Sequence, residues 1–193
     1  MYLVLVRLHL RVHLLALPAM LMIFWLEGFA PAALLFLAAL LHECGHLAAL
    51  RVCGIPVRRI DILPMGAVIA YDDSLCPHSQ TAWIAFAGAG ANLLALLVCL
   101  PFAQNLYTLF FVLANAALAV TNLLPIEMLD GGTVLRSVLL SRYEIASAER
   151  ICRNVSRLSL TLLAMLLLAL GLHSAFPLWY LLLSLVMLAQ IFR

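Results

Sequence analysis

Charge is what this sequence lacks. Only 10% of its 193 residues are charged, none is lysine, and 66% are hydrophobic. Ordinary globular chains are about 25% charged, and a single domain of this size must keep much of its surface wet. Burial in a soluble core therefore cannot account for the excess, and lipid is the expected solvent. CxxC pairs are also missing. The five cysteines, Cys44, Cys53, Cys76, Cys99 and Cys152, are odd in number and scattered, which argues against a disulfide framework and for reduced thiols. No internal repeat or low-complexity tract is present. No A-x-A-like site closes the first apolar run, so that run reads as a retained span rather than a cleaved signal. The net charge of +2 says little about partners; a nucleic acid is not expected among them.

What is there in abundance is apolar runs near the ~20 residues a helix needs to cross the hydrocarbon. Six can be drawn, at about Leu14–Phe29, Ala32–Leu50, Thr81–Phe102, Leu106–Leu124, Leu158–Leu172 and Pro177–Ile191. Less hydrophobic stretches, Arg51–Gln80 and Pro125–Arg157, separate the second run from the third and the fourth from the fifth. With six spans, all 11 arginines fall on one side: Arg7 and Arg11; Arg51, Arg58 and Arg59; Arg136, Arg142, Arg150, Arg153 and Arg157; and Arg193. The opposite loops, near Glu27, Gln104 and His173, hold none. The positive-inside rule then makes both termini cytoplasmic. Residues Arg58–Tyr71 are β-branched on both sides of Pro64 and Gly66, the pattern of a short hairpin. The expected fold is an all-α polytopic membrane protein, one membrane-embedded domain over residues 1–193, with six transmembrane helices and a short membrane-associated β-hairpin whose edges need protein or water rather than lipid.

The second run carries Leu41-His42-Glu43-Cys44-Gly45-His46-Leu47, an HExxH pattern. His42 and His46 are one helical turn apart, ~6 Å along the axis, so both imidazoles project from one face. Two imidazoles so placed can bind one Zn²⁺, with the intervening glutamate as base toward a metal-bound water. The pattern is short enough to arise by chance. Three ionisable groups inside a span nevertheless need a function. A catalytic zinc wants a third protein ligand. Asp130, in Leu129-Asp130-Gly131-Gly132, falls by span parity on the same cytoplasmic side as His46. Pro125 breaks the helix before it, and Gly131-Gly132 is expected to permit a tight turn that aims the aspartate inward. Alone, Asp130 would read as a surface turn residue; beside HExxH it reads as a ligand.

HExxH in a span followed by N-x-x-P-x-x-x-x-D-G in a later one resembles the site-2 protease family of intramembrane zinc metalloproteases, peptidase family M50. The residues that match are His42, Glu43, His46, Asn122, Pro125, Asp130 and Gly131. H-E-x-G-H, R-R-I-D-I-L-P-M-G and N-L-L-P-I-x-x-L-D-G-G look most like the branch of stage IV sporulation protein FB. That branch usually carries a C-terminal CBS domain, and neither a CBS nor a PDZ domain is expected here. The resemblance implies one zinc held by His42, His46 and Asp130, with Glu43 as general base. It implies a membrane-associated precursor as substrate, such as a pro-sigma factor, and a membrane inhibitor protein that blocks the cleft. It places the chain in a bacterial cytoplasmic membrane.

Phe86-Ala87-Gly88-Ala89-Gly90-Ala91-Asn92 is similar to that family's G-P-x-x-N segment. Its glycines read as close helix approach, and Asn92 either bonds a neighbouring helix or meets substrate. Asn122 can donate to a developing oxyanion or to substrate backbone. Gly66 in the hairpin and Pro125 are further candidate substrate contacts, since a hairpin edge can hold an unwound segment by strand addition. Other features carry less. His9 and His13 read as an interfacial pair. Cys44 lies ~200° around the helix from each ligand and reads as a small packing residue. Glu27 and Glu127 read as loop charges. The rival functions are a zinc-binding scaffold, a pseudoprotease, against which intact Glu43 argues, and a metal transporter, which would need polar groups in the last two spans.

Overall fold

The computed structural model describes residues 9–14, 16–63, 66–72 and 76–172. The sixth expected span, Pro177–Ile191, and Pro64 of the hairpin lie outside them. The chain divides into two compact units, within Met1–Leu123 and Leu124–Arg193.

The first unit holds strand β1 (His9–Val12) and helices α1 (Ala16–Glu27) and α2 (Phe29–Val52). Strands β2 (Val57–Leu63) and β3 (Gly66–Tyr71) follow, then helices α3 (His78–Cys99) and α4 (Leu106–Asn122). Helices α2, α3 and α4 pack against one another, and α1 packs on α2. The residues at their contacts are small: Ala32, Ala38, Ala49, Gly88, Ala89, Ala114 and Ala119 are buried. The large ones face outward, Leu94, Leu97, Leu113 and Val120 among them. A water-soluble core arranges its residues the other way round; small residues inside and leucines outside is how helices pack in lipid. Three described helices are long and apolar enough to cross a membrane, Phe29–Val52, His78–Phe102 and Ile145–Gly171. Ala16–Leu26 and Leu106–Asn122 are shorter apolar helices.

Helix α2 starts earlier than expected because Pro31 lies in its first turn, where the missing N–H has no intrahelical partner to lose. It ends in a Schellman motif. The Gly54 N–H donates to Arg51 O at 3.1 Å and the Ile55 N–H to Leu50 O at 2.9 Å. Gly54 takes φ +72°, and Leu50 and Ile55 share one buried cluster, the contact that accompanies this cap. An alanine at Gly54 meets no neighbour within 4 Å, so only its backbone conformation is penalised. Gly54→Ala should therefore lower stability by about 1–2 kcal/mol, read as a lower melting temperature with zinc content per folded molecule unchanged.

The expected hairpin is present as β2 and β3, antiparallel from Leu63↔Gly66 to Val57↔Tyr71, with a register shift between Val57 and Arg59. A third strand was not foreseen: β1 pairs parallel to β2, His9↔Arg59 through Val12↔Ile62. The sheet order is β1-β2-β3, so β2 is flanked on both sides and β3 and β1 are the edges. Val57, Ile69 and Tyr71 pack on Leu50, Ile55 and Ile84, which fixes the sheet to the C-terminal end of α2 and the N-terminal half of α3.

In the second unit, α5 (Asp130–Leu140) packs on α6 (Ile145–Leu172). Helix α6 begins well before the expected fifth span. Ala148, Cys152, Ser156, Leu160 and Ala164 are buried at intervals of four, so one helical face runs through the arginine-rich half into the apolar half. Average hydropathy hides such a face. Gly131 and Gly132 do not form a turn, as both continue the helix that Asp130 begins. Both are buried in the first turn of α5, where a Cβ on Gly132 would strike the Ile126 carbonyl oxygen and come within 2.9 Å of Glu127 Cα. The Glu127 N–H donates to Ser156 Oγ at 3.2 Å, which ties this loop to α6.

Candidate metal centre

His42 and His46 face α3 from the C-terminal half of α2, about 9–15 Å short of its end at 1.5 Å per residue. The residues opposite them decide which ring nitrogens are available. His46 Nδ1 lies 2.8 Å from the Ile84 backbone oxygen. That oxygen can only accept, so Nδ1 carries the proton and Nε2 the lone pair in the neutral ring. His42 Nδ1 lies 2.7 Å from Asn92 Oδ1, and the same reasoning gives the same tautomer. The two Nε2 atoms converge to 3.2 Å. Two lone pairs at that distance cannot bond each other. They do suit a shared cation, because Zn–N bonds of about 2.0–2.1 Å in a tetrahedron set ligand nitrogens about 3.3–3.4 Å apart. The donor set thus fits zinc by ligand type, tautomer and separation.

Gly88 of α3 is pressed onto this pair. A Cβ there would collide with Nε2 and Cε1 of His46 and come within 2.8 Å of His42 Cε1. Between the two histidines on α2, a Cβ on Gly45 would collide with the Ala87 carbonyl and lie 2.9 Å from Ala91 Cβ. The close approach expected of Gly88 and Gly90 is therefore found at Gly88, and Gly45, which the sequence did not single out, shares it. Gly90 is different: its Cβ would meet only the Phe86 ring, at 3.6 Å and beyond.

Asn92 is fully buried. Its amide engages His42, the Ala38 carbonyl at 2.9 Å and Asn115 Oδ1 at 2.8 Å. It thus bonds both neighbouring helices, α2 and α4. Asn115 was not singled out from the sequence. The available signal was a polar side chain inside an apolar run. Glu43, half-buried, follows His42 on α2. Asn122, at the end of α4, donates from Nδ2 to Leu118 O at 2.9 Å within its own helix. Asp130 is the first residue of α5 in the second unit, half-buried, and Pro125 lies in the loop before it. Gly66 is exposed at the start of β3 with φ +144°. Cys44 is exposed rather than packed. It points away from the histidines, as the helical phase required.

The model of peptidase family M50 matches residues 30–108 and 101–168, which take in both α2 and the loop into α5. The chain belongs to peptidase family M50. A zinc metalloprotease of Methanocaldococcus jannaschii is 32% identical over 152 residues, 75% of this chain and 43% of its own length. The Synechocystis sp. protein sll0528 is 32% identical over 127 residues, 60% of this chain and 32% of its own. The solved site-2 protease from Methanocaldococcus jannaschii shares the fold with a TM-score of 0.65 at 26% identity, over 93% of this chain and 87% of that one. This M50 chain spans less than half the length of the curated relatives it matches.

Proposed function

We propose that this chain is an intramembrane zinc metalloendopeptidase. The observation that carries the reading is the convergence of two lone-pair Nε2 atoms at 3.2 Å on a helix that also carries Glu43. Asp130 is the proposed third ligand, since His42, His46 and Asp130 make up a donor set able to hold a metal ion and fit the three-protein-ligand pattern of catalytic zinc. A zinc bound there supplies Lewis acidity and lowers the pKa of a bound water toward neutrality. Glu43 accepts the proton from the attacking water and returns it to the leaving amine. Asn122, with one amide hydrogen held by Leu118 O, offers the other to the substrate carbonyl or backbone.

The substrate is proposed to be a membrane-associated regulatory precursor of the pro-sigma-factor kind, cut in or near its membrane segment. Resemblance to the sporulation branch supports this, and a membrane inhibitor belongs to the same proposal. The one-sided arginines support six spans with both termini, and the released product, in the cytoplasm. A helical substrate must unwind before attack because its carbonyls are engaged. With β2 flanked on both sides, strand addition would use an outer edge of the sheet, β3 with Gly66 at its start, and Pro125, in the family motif before Asp130, is proposed as a further substrate contact.

The test is an assay of the purified chain in lipid on one helical and one pre-extended substrate, with bound zinc measured alongside. One zinc per chain is expected. A strong chelator should abolish cleavage of both substrates and added zinc should restore it. Gly66→Val should slow the helical substrate more than the extended one. Zinc binding with no cleavage of either substrate would favour a zinc-binding scaffold.

A further inference from the structure

The hydrogen bonds behind His42 do not stop at Asn92. Asn92 Nδ2 donates to Ala38 O at 2.9 Å and to Asn115 Oδ1 at 2.8 Å. Asn115 Nδ2 donates to Phe111 O at 2.8 Å, one turn back on α4. Both asparagines are fully buried. An amide can turn over and exchange its oxygen for its nitrogen, so its direction is set by its neighbours. Here the neighbours leave no choice. Ala38 O and Phe111 O are backbone carbonyls and only accept, so each must face an Nδ2. Each Oδ1 then points along the chain: Asn115 Oδ1 toward Asn92, and Asn92 Oδ1 toward His42 Nδ1. The row runs in one direction across α4, α3 and α2 and ends on the ring nitrogen opposite the one that faces the metal.

The geometry points to Asn115 as a positioning residue for the zinc ligand His42, acting through Asn92 to hold its imidazole as the Nδ1–H tautomer with Nε2 aimed at the metal. It touches neither ligand nor substrate. Partners that orient a metal-bound histidine typically change metal affinity or activity 10–100-fold when removed. Asn115 lies one bond further out, and roughly tenfold is expected. A buried amide that merely filled space would show a different pattern, since any side chain of similar size would serve.

This inference rests on the zinc-site reading, and the experiment separates the two. Threonine and valine have nearly the same shape. A threonine hydroxyl at this position can donate to the carbonyl four residues back while accepting from Asn92, which reproduces the direction of the row; valine can do neither. Zinc affinity of the full chain would be measured by chelator competition, together with the visible spectrum of the Co²⁺-substituted protein. Asn115→Val should bind zinc roughly tenfold more weakly than the parent, with a shifted Co²⁺ spectrum, and Asn115→Thr should recover most of the loss. In an Asn92→Ala background the threonine–valine difference should vanish, because the residue that transmits it is gone. Should the valine chain fail to fold, Asn115→Ser against Asn115→Ala makes the same comparison. Equal zinc affinity within each pair, or a difference that persists without Asn92, would overturn the inference and leave the metal centre standing. A parent chain that binds no zinc would remove both.

Discussion

Glu43→Gln should retain one zinc per chain while losing cleavage by about 10²–10⁴-fold, the usual contribution of a positioned general base. The substitution keeps the size and hydrogen-bonding reach of the side chain and removes only its capacity to take a proton. The metal centre should be indifferent to it, because its two histidines are oriented from α3, by Asn92 and Ile84 O. Zinc content and cleavage therefore part company in this variant and fall together when His42 or His46 is replaced. Cleavage within a few-fold of the parent would exclude Glu43 as the base.

Gly88→Ala should be nearly as damaging for a different reason. The added methyl would lie where the imidazole edges of His42 and His46 now are. These rings cannot simply swing aside, since each is held at Nδ1 by a bond of 2.8 Å or less. Either the rings leave their bonds or α3 moves off α2. Overpacking of this kind costs about 1–3 kcal/mol. A misplacement of about 1 Å at a reacting centre lowers rate by about a hundredfold, so weak zinc binding and a comparable loss of cleavage are expected. Gly90→Ala is the matched control. Its methyl would make ordinary contact with Phe86, and replacing a mid-helix glycine by alanine gains about 0.8–1.0 kcal/mol in helix propensity. That variant should melt higher and cleave normally. Equal behaviour of the two alanine variants would show that contact with the imidazoles does not matter.

The apolar runs, the hairpin and the His42–Glu43–His46 spacing were legible because each is written in neighbouring residues. Three things were not. Strand β1 is four residues long and takes its partner from the far side of α1 and α2, so no local pattern marks it. The arginine-rich half of α6 buries one residue in four, a periodicity that average hydropathy does not see. Asn115 stands alone in an apolar run and carries no motif.

By itself the sequence determined that lipid is this protein's solvent, that two imidazoles and a carboxylate share one helix, and that the chain resembles a family of zinc proteases. Composition and helical period suffice for that, since both act over a few residues. Only the tertiary structure decided which nitrogen of each histidine faces the metal. It also decided that Gly88 must stay bare and that Asn92 serves the ligand from inside the bundle. The groups that impose these outcomes lie 38 residues from His46 and 50 from His42 along the chain. They meet the histidines only when α3 packs against α2, at the close approach their small residues allow.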